Sequence, residues 1–166
     1  MLKLFLLRHA KSSWANTNLD DLDRPLNERG ELASLLMGRV MRKLKIEPDL
    51  VICSPSKRTR QTLALLLESA EIEPEINFED KVYEASLGDL RKILSRQKTE
   101  HGVILMVGHN PGMSILLSDL TGEAEHFPTA ALAGIDLDID DWSEVAPGAG
   151  KLVFMKRPKE LDENDY

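Results

Sequence analysis

The chain has 166 residues, 42% of them hydrophobic and 30% charged, with a formal net charge of −7; these are the proportions of one globular domain that buries roughly 70 per cent of its unfolded surface without a staple. The negative charge excludes a partner held by bulk attraction, such as nucleic acid or an anionic membrane, so any anion recognition has to be local. The single cysteine, Cys53, excludes an intrachain disulfide and fits a reducing, cytoplasmic compartment.

The first apolar run, Leu2 to Leu7, stops at Arg8 with no small-residue cleavage site behind it, which makes it a buried strand rather than a signal peptide. No run approaches the roughly eighteen apolar residues of a membrane span. Arg8-His9-Ala10 stands at the strand's exit. Asn27 can then cap a helix in which Leu32, Leu35, Leu36, Val40 and Leu44 recur at helical spacing. Leu50 to Cys53 reads as a second strand. It leads through Ser54-Pro55-Ser56 into a helix that buries Leu63, Leu66, Leu67 and Ala70. Lys57, Arg58 and Arg60 crowd the first turn of that helix, where the dipole disfavours cations, so a bound anion would relieve the conflict.

A helix is expected over about 86–98, and a strand over about 103–107 that runs out into Gly108-His109-Asn110-Pro111. Pro111 suits the first position of a further helix. Alternation in Ile135-Asp136-Leu137-Asp138-Ile139, a Pro147-Gly148 turn and Leu152-Val153-Phe154 predict an antiparallel hairpin at the sheet edge. The acidic residues 158–166 are expected to fray. Residues 1–157 thus form one α/β domain, a three-layer α/β/α arrangement with a mostly parallel sheet and an antiparallel C-terminal hairpin.

Two strands each deliver a histidine, His9 and His109, and if they run the same way in one sheet both rings stand at its carboxyl edge, where such folds keep their chemistry. Arg58 follows the second strand to the same edge, and Val82-Tyr83-Glu84-Ala85 can bring a carboxylate to the rim. The arrangement suits an anionic phosphoryl group. Zinc is disfavoured, because the two histidines are a hundred residues apart and no third ligand is evident. His101 and His126 follow no strand and are taken as structural or exposed. Asp20, Asp21 and Asp23 are expected to cap the following helix or pair with Arg24. Cys53 and Arg58 have only four residues between them, Pro55 included and no glycine, so they do not make the anion nest of a cysteine phosphatase.

The ordered set Arg8-His9-Ala10, Asp23-Arg24-Pro25-Leu26 with Gly30, Ser54-Pro55 with Arg58 and Gln61-Thr62, and Gly108-His109-Asn110-Pro111 resembles the histidine phosphatase superfamily, whose fold is phosphoglycerate mutase-like. The short length, Tyr83-Glu84-Ala85-Ser86, Pro128-Thr129-Ala130 and the terminal hairpin are similar to SixA-type phosphohistidine phosphatases. The resemblance implies that His9 is the nucleophile, that Arg8, Arg58 and His109 hold the phosphoryl oxygens, and that Glu84 protonates an ester leaving group. It also implies no metal and no cofactor. The substrate is then phosphohistidine in a phosphorylated protein, with inorganic phosphate as product. Only 44 residues separate Thr62 from Val107, too few to fold a cover over a small ligand, which disfavours a mutase. The alternatives are a phosphomonoesterase acting on small phosphate esters and a phosphate-binding module without turnover.

Overall fold

In the computed structural model, which describes residues 1–166, alternation along β1 (Leu2–Arg8) sorts the core into two halves. Leu4 and Leu6 face one apolar cluster, Phe5 and Leu7 the other, as a strand buried on both faces requires. The first cluster is closed by α3 (Leu87–Ser95) and α4 (Gly112–Thr121), through Leu90, Leu94, Leu116 and Leu120. The second is closed by α1 (Glu28–Lys43) and α2 (Lys57–Ala70), through Met37, Met41, Leu63 and Leu66. The three layers expected from the sequence are therefore present.

The sheet has six strands in the order β3-β2-β4-β1-β5-β6. Strands β2 (Leu50–Cys53), β4 (Val103–Gly108) and β1 run parallel, in a register that pairs Cys53 with Val107 and Arg8 with Gly108. Their carboxyl ends are level, so the residues that follow each strand emerge side by side. The hairpin of β5 (Leu132–Leu137) and β6 (Gly150–Lys156) is antiparallel, with β5 also antiparallel to β1. Its connection is longer than a simple Pro147-Gly148 turn: it contains a 3-10 turn, Trp142–Glu144, whose fully buried Trp142 donates its indole N–H to the His101 carbonyl at 2.8 Å.

Three sequence expectations need correction. Strand β3 (Glu75–Phe78) was not anticipated: its polar–apolar alternation lasts only four residues, and all four are exposed at the sheet edge. The buried face of α1 keeps Leu36 and Val40 of the expected stripe but is rotated from the rest: Leu32 is 61% exposed and Leu44 41%, while Ser34, Met37, Gly38 and Met41 are buried. Small residues set that face. A Cβ on Gly38 would lie 2.3 Å from the Leu66 carbonyl oxygen, so α1 and α2 approach more closely there than any side chain permits. Finally, residues 158–166 are held down rather than frayed. Two 3-10 turns (Pro158–Glu160 and Glu163–Asp165) lead to Tyr166, Leu161 and Tyr166 pack on the second cluster, and Lys43 donates to the Asp165 carbonyl at 2.6 Å.

Candidate active site

Asn27 caps α1 by accepting from the Gly30 N–H at 2.8 Å, and a Cβ on Gly30 would sit 2.1 Å from the Lys11 carbonyl oxygen. The loop leaving β1 is thus seated directly on α1. Thr62 on α2 accepts from the Ala10 N–H at 3.0 Å and donates to the Arg58 carbonyl at 2.7 Å, and Gln61 accepts from the Leu26 N–H at 2.9 Å. These side chains fasten the segment that carries His9 to the helix that carries Arg58.

His9 is 8% exposed, and its Nδ1 lies 2.7 Å from the Ala10 carbonyl oxygen. A carbonyl only accepts, so Nδ1 carries the ring proton and Nε2 keeps its lone pair. Burial, joined by the positive charges of Arg58, Arg8 and Arg24, pushes the ring pKa down to about 4 against the hydrogen bond to Ala10, which raises it. At neutral pH this imidazole is unprotonated, with its free nitrogen defined.

His109 stands beside it, ring centroids 5.2 Å apart, with Tyr83 edge-on at 5.4 Å. Its Nδ1 accepts from Arg58 Nη2 at 3.4 Å, since an arginine only donates, which leaves Nε2 as the N–H donor to Ser54 Oγ at 2.8 Å. Burial first, then His9 and Arg58, push its pKa down to about 3. At neutral pH His109 is therefore neutral, and Nδ1 has no proton to offer a phosphoryl oxygen. An arriving dianion favours the charged ring and supplies the condition under which it donates.

Three guanidiniums surround the pair. Arg58, 5% exposed, donates Nη1 to the Asp21 carbonyl at 2.6 Å and Nη2 to the Asp21 carboxylate at 2.9 Å. Arg24 donates to Ser12 Oγ and, at 3.1 Å, to the other Asp21 oxygen, and its guanidinium carbon lies 3.7 Å from the centre of the Trp14 ring. Arg8 donates to the Phe127 carbonyl at 3.2 Å, and burial lowers its pKa. The Nε–H of each of these arginines is buried without an acceptor, a surplus of donors that an anion can use. The anion that relieves the basic first turn of α2 is the Asp21 carboxylate. The Tyr83 hydroxyl donates to it at 2.5 Å; that bond, with Arg58 and Arg24, holds the carboxyl far below its usual range.

The resulting recess has a volume of about 370 Å³ and is lined by His9, His109, the three arginines and a rim that includes Lys11, Trp14 and Thr129. A larger hollow of about 550 Å³ at the opposite edge, around Phe5, Ile46 and Phe154, contains no histidine. Four of the five residues expected to form the site, Arg8, His9, Arg58 and His109, are brought together. Glu84 is not: it adopts the left-handed conformation (φ 53°), is exposed, and does not line the recess. The neighbouring Tyr83 points inward instead. Sequence reasoning missed Arg24 and Trp14 as pocket residues, Asp21 as the carboxylate gathering two arginines, and Ser54 as the partner of His109. The expected pairing of Asp21 with Arg24 is present but is half of a larger network. Cys53 is buried, with its thiol pushed up to about 12 by desolvation, as inert as its small-hydrophobe role implies.

Comparison with known proteins agrees with this geometry. The profile of the histidine phosphatase superfamily (branch 1) matches residues 4–101. An uncharacterised chloroplastic protein of Arabidopsis thaliana is 30% identical, over 94% of this chain and 78% of its own length. An uncharacterised protein of Mycobacterium tuberculosis is also 30% identical, over 92% of this chain and all of its own. Among solved structures, a candidate phosphohistidine phosphatase SixA from Agrobacterium tumefaciens superposes with a TM-score of 0.82 at 29% identity, covering 95% of this chain and 98% of that one. The protein histidine phosphatase SixA in complex with tungstate superposes with a TM-score of 0.84 at 25% identity, covering 97% and 100%.

Proposed function

The chain belongs to the histidine phosphatase superfamily, and from that premise we propose that it removes the phosphoryl group from phosphohistidine in another protein by way of a phosphoryl group carried on Nε2 of His9. The observation that carries the proposal is the tautomer of His9. Its proton is committed to the Ala10 carbonyl and its pKa is near 4, so the nucleophile is ready without a general base.

In the first step the His9 Nε2 lone pair attacks phosphorus, the bond from phosphorus to the substrate nitrogen breaks, and the leaving imidazole takes its proton from solvent. In the second, water attacks the phosphoryl group on His9, and inorganic phosphate and neutral His9 are released. Arg8, Arg24 and Arg58 supply positive charge around the equatorial oxygens, where fixed donors act most strongly. His109 gains its proton as the dianion arrives and adds a further donor. A leaving imidazole titrates near 6.5 when unperturbed and needs no positioned acid, which agrees with Glu84 lying outside the recess. The open rim, where Trp14 is 74% exposed, suits a side chain presented by a folded partner better than a small ester that has to be enclosed.

The test is to incubate the protein with radiolabelled phosphoimidazole and quench. Acid-labile, alkali-stable label on His9 that disappears on chase is the expected result. Turnover without label, or label that persists in His9→Ala, overturns the proposal.

A further inference from the structure

Beside the phosphoryl recess lies a second hollow of about 310 Å³ that shares Lys11 and Thr129 with it. Arg29, His126, Arg157, Lys159 and Glu160 complete its wall. Arg157 is already satisfied: it donates to Glu125 at 2.7 Å, to Glu160 at 3.3 Å and to the His126 carbonyl at 2.9 Å. That pairing engages Glu125 and also Glu160, the one carboxylate in the wall of the hollow. Lys11, Arg29 and Lys159 take part in none of the ion pairs of the molecule.

Three unpaired cations around one hollow are conspicuous in a chain of net charge −7. Arg29 also lies in the first turn of α1, where the helix dipole disfavours a positive side chain, and neither Glu28 nor Glu31 of that turn pairs with it. Nor is the cluster an accident of a loose terminus. The anchoring of Arg157, Leu161 and Tyr166 holds the turn that carries Lys159 against the body.

We propose that this hollow is a docking subsite for carboxylates that flank the phosphohistidine on the partner protein. The proposal rests on the phosphohistidine assignment above and adds the charge of the partner's surface. Charge complementarity favours an acidic protein as occupant. A chain of net charge −7 repels an acidic partner on the whole, so docking needs a local positive face, and this one adjoins the phosphoryl recess. The cations sit on long exposed side chains along a continuous rim, as in an interface that steers and registers a large partner.

The experiment compares three probes: phosphoimidazole, a phosphohistidine peptide flanked by aspartates, and the same peptide with asparagines. Each is measured with wild type and with Arg29→Glu/Lys159→Glu, whose altered residues lie outside the phosphoryl recess. Wild type should prefer the acidic peptide by about three- to tenfold in kcat/KM, as two exposed ion pairs allow, and the preference should shrink at high salt. The variant should lose the preference while hydrolysing phosphoimidazole at the wild-type rate, which also reports that it is folded. Turnover with no charge preference, or a preference the variant keeps, overturns the subsite alone. So does the outcome with an added fourth probe, a small bisphosphate, if its hydrolysis, unlike that of the peptides, depends on Arg29 and Lys159. Wild type inert to all three probes overturns the phosphatase assignment and the subsite with it.

Discussion

The exits of β1 and β4 look alike in sequence and behave differently in space. Each is a buried strand followed at once by a histidine, and their parallel register sets Arg8 opposite Gly108 so that the two rings stand 5.2 Å apart. At the β1 exit, His9 bonds its own chain through Nδ1 and leaves Nε2 free. At the β4 exit, His109 has both nitrogens engaged, by Ser54 and by Arg58. In the proposed mechanism two imidazoles in one pocket thus divide the work by hydrogen-bond partner, one forming the bond to phosphorus and the other holding what is formed.

The largest expected effect breaks that division directly. His9→Ala should lower kcat/KM by more than about a thousandfold, the loss typical of removing a covalent nucleophile, while vanadate still binds through the arginines. His109→Ala should cost about a hundredfold, near the value of one removed transition-state donor, and should still acquire label on His9. Equal losses with no label in either variant would show that the rings act as one unit.

What the two rings share can be read from the pH dependence of stability. Both pKa values are lowered in the folded protein, to about 4 and about 3, so between there and about 6.5 the unfolded chain binds protons that the folded chain does not. Their contribution is complete above pH 6.5 and is lost as pH falls towards 4. From pH 7 to pH 5 the loss should be about 2–4 kcal/mol for the pair, measured by urea denaturation, and His9→Asn/His109→Asn should flatten it. A wild-type stability that does not change over this interval would contradict the neutral rings.

The smallest effect sharpens the comparison at the rim. Glu84 is exposed and outside the recess, so Glu84→Gln should change kcat/KM on phosphoimidazole by less than about threefold. On an alkyl phosphate, whose leaving alkoxide needs a proton, a loss of about a hundredfold or more would reveal that the Glu84 carboxylate reaches the site during turnover.

Much of this was legible in the chain. Strands β1, β2 and β4 declared themselves as short apolar runs, and a strand's exit in a parallel sheet has only one edge to reach. Arg8, His9, Arg58 and His109 could therefore be brought together without coordinates. Strand β3 and the true face of α1 were not legible. Four alternating residues, Glu75 to Phe78, are too short a run to declare an exposed edge strand, and the face of α1 is set by where Gly38 and Ser34 let a neighbour come close, a property of the neighbour as much as of the helix. Asp21 illustrates the same limit within the site. As one of three aspartates in a loop, it is distinguished only by folding, which carries it to Arg24, Arg58 and Tyr83.

By itself, then, the sequence determined the layer architecture and that Arg8, His9, Arg58 and His109 share the pocket, because burial patterns and strand direction are local properties that topology only has to join. The tertiary structure alone decided which imidazole nitrogen is free, which carboxylate gathers the arginines and where unpaired cations line up beside the recess. The partners of Asp21 and the row of cations lie tens of residues apart along the chain, the His9 ring meets the carbonyl of adjacent Ala10 only in the folded loop, and a protonation state is set by the sum of all the neighbours at once.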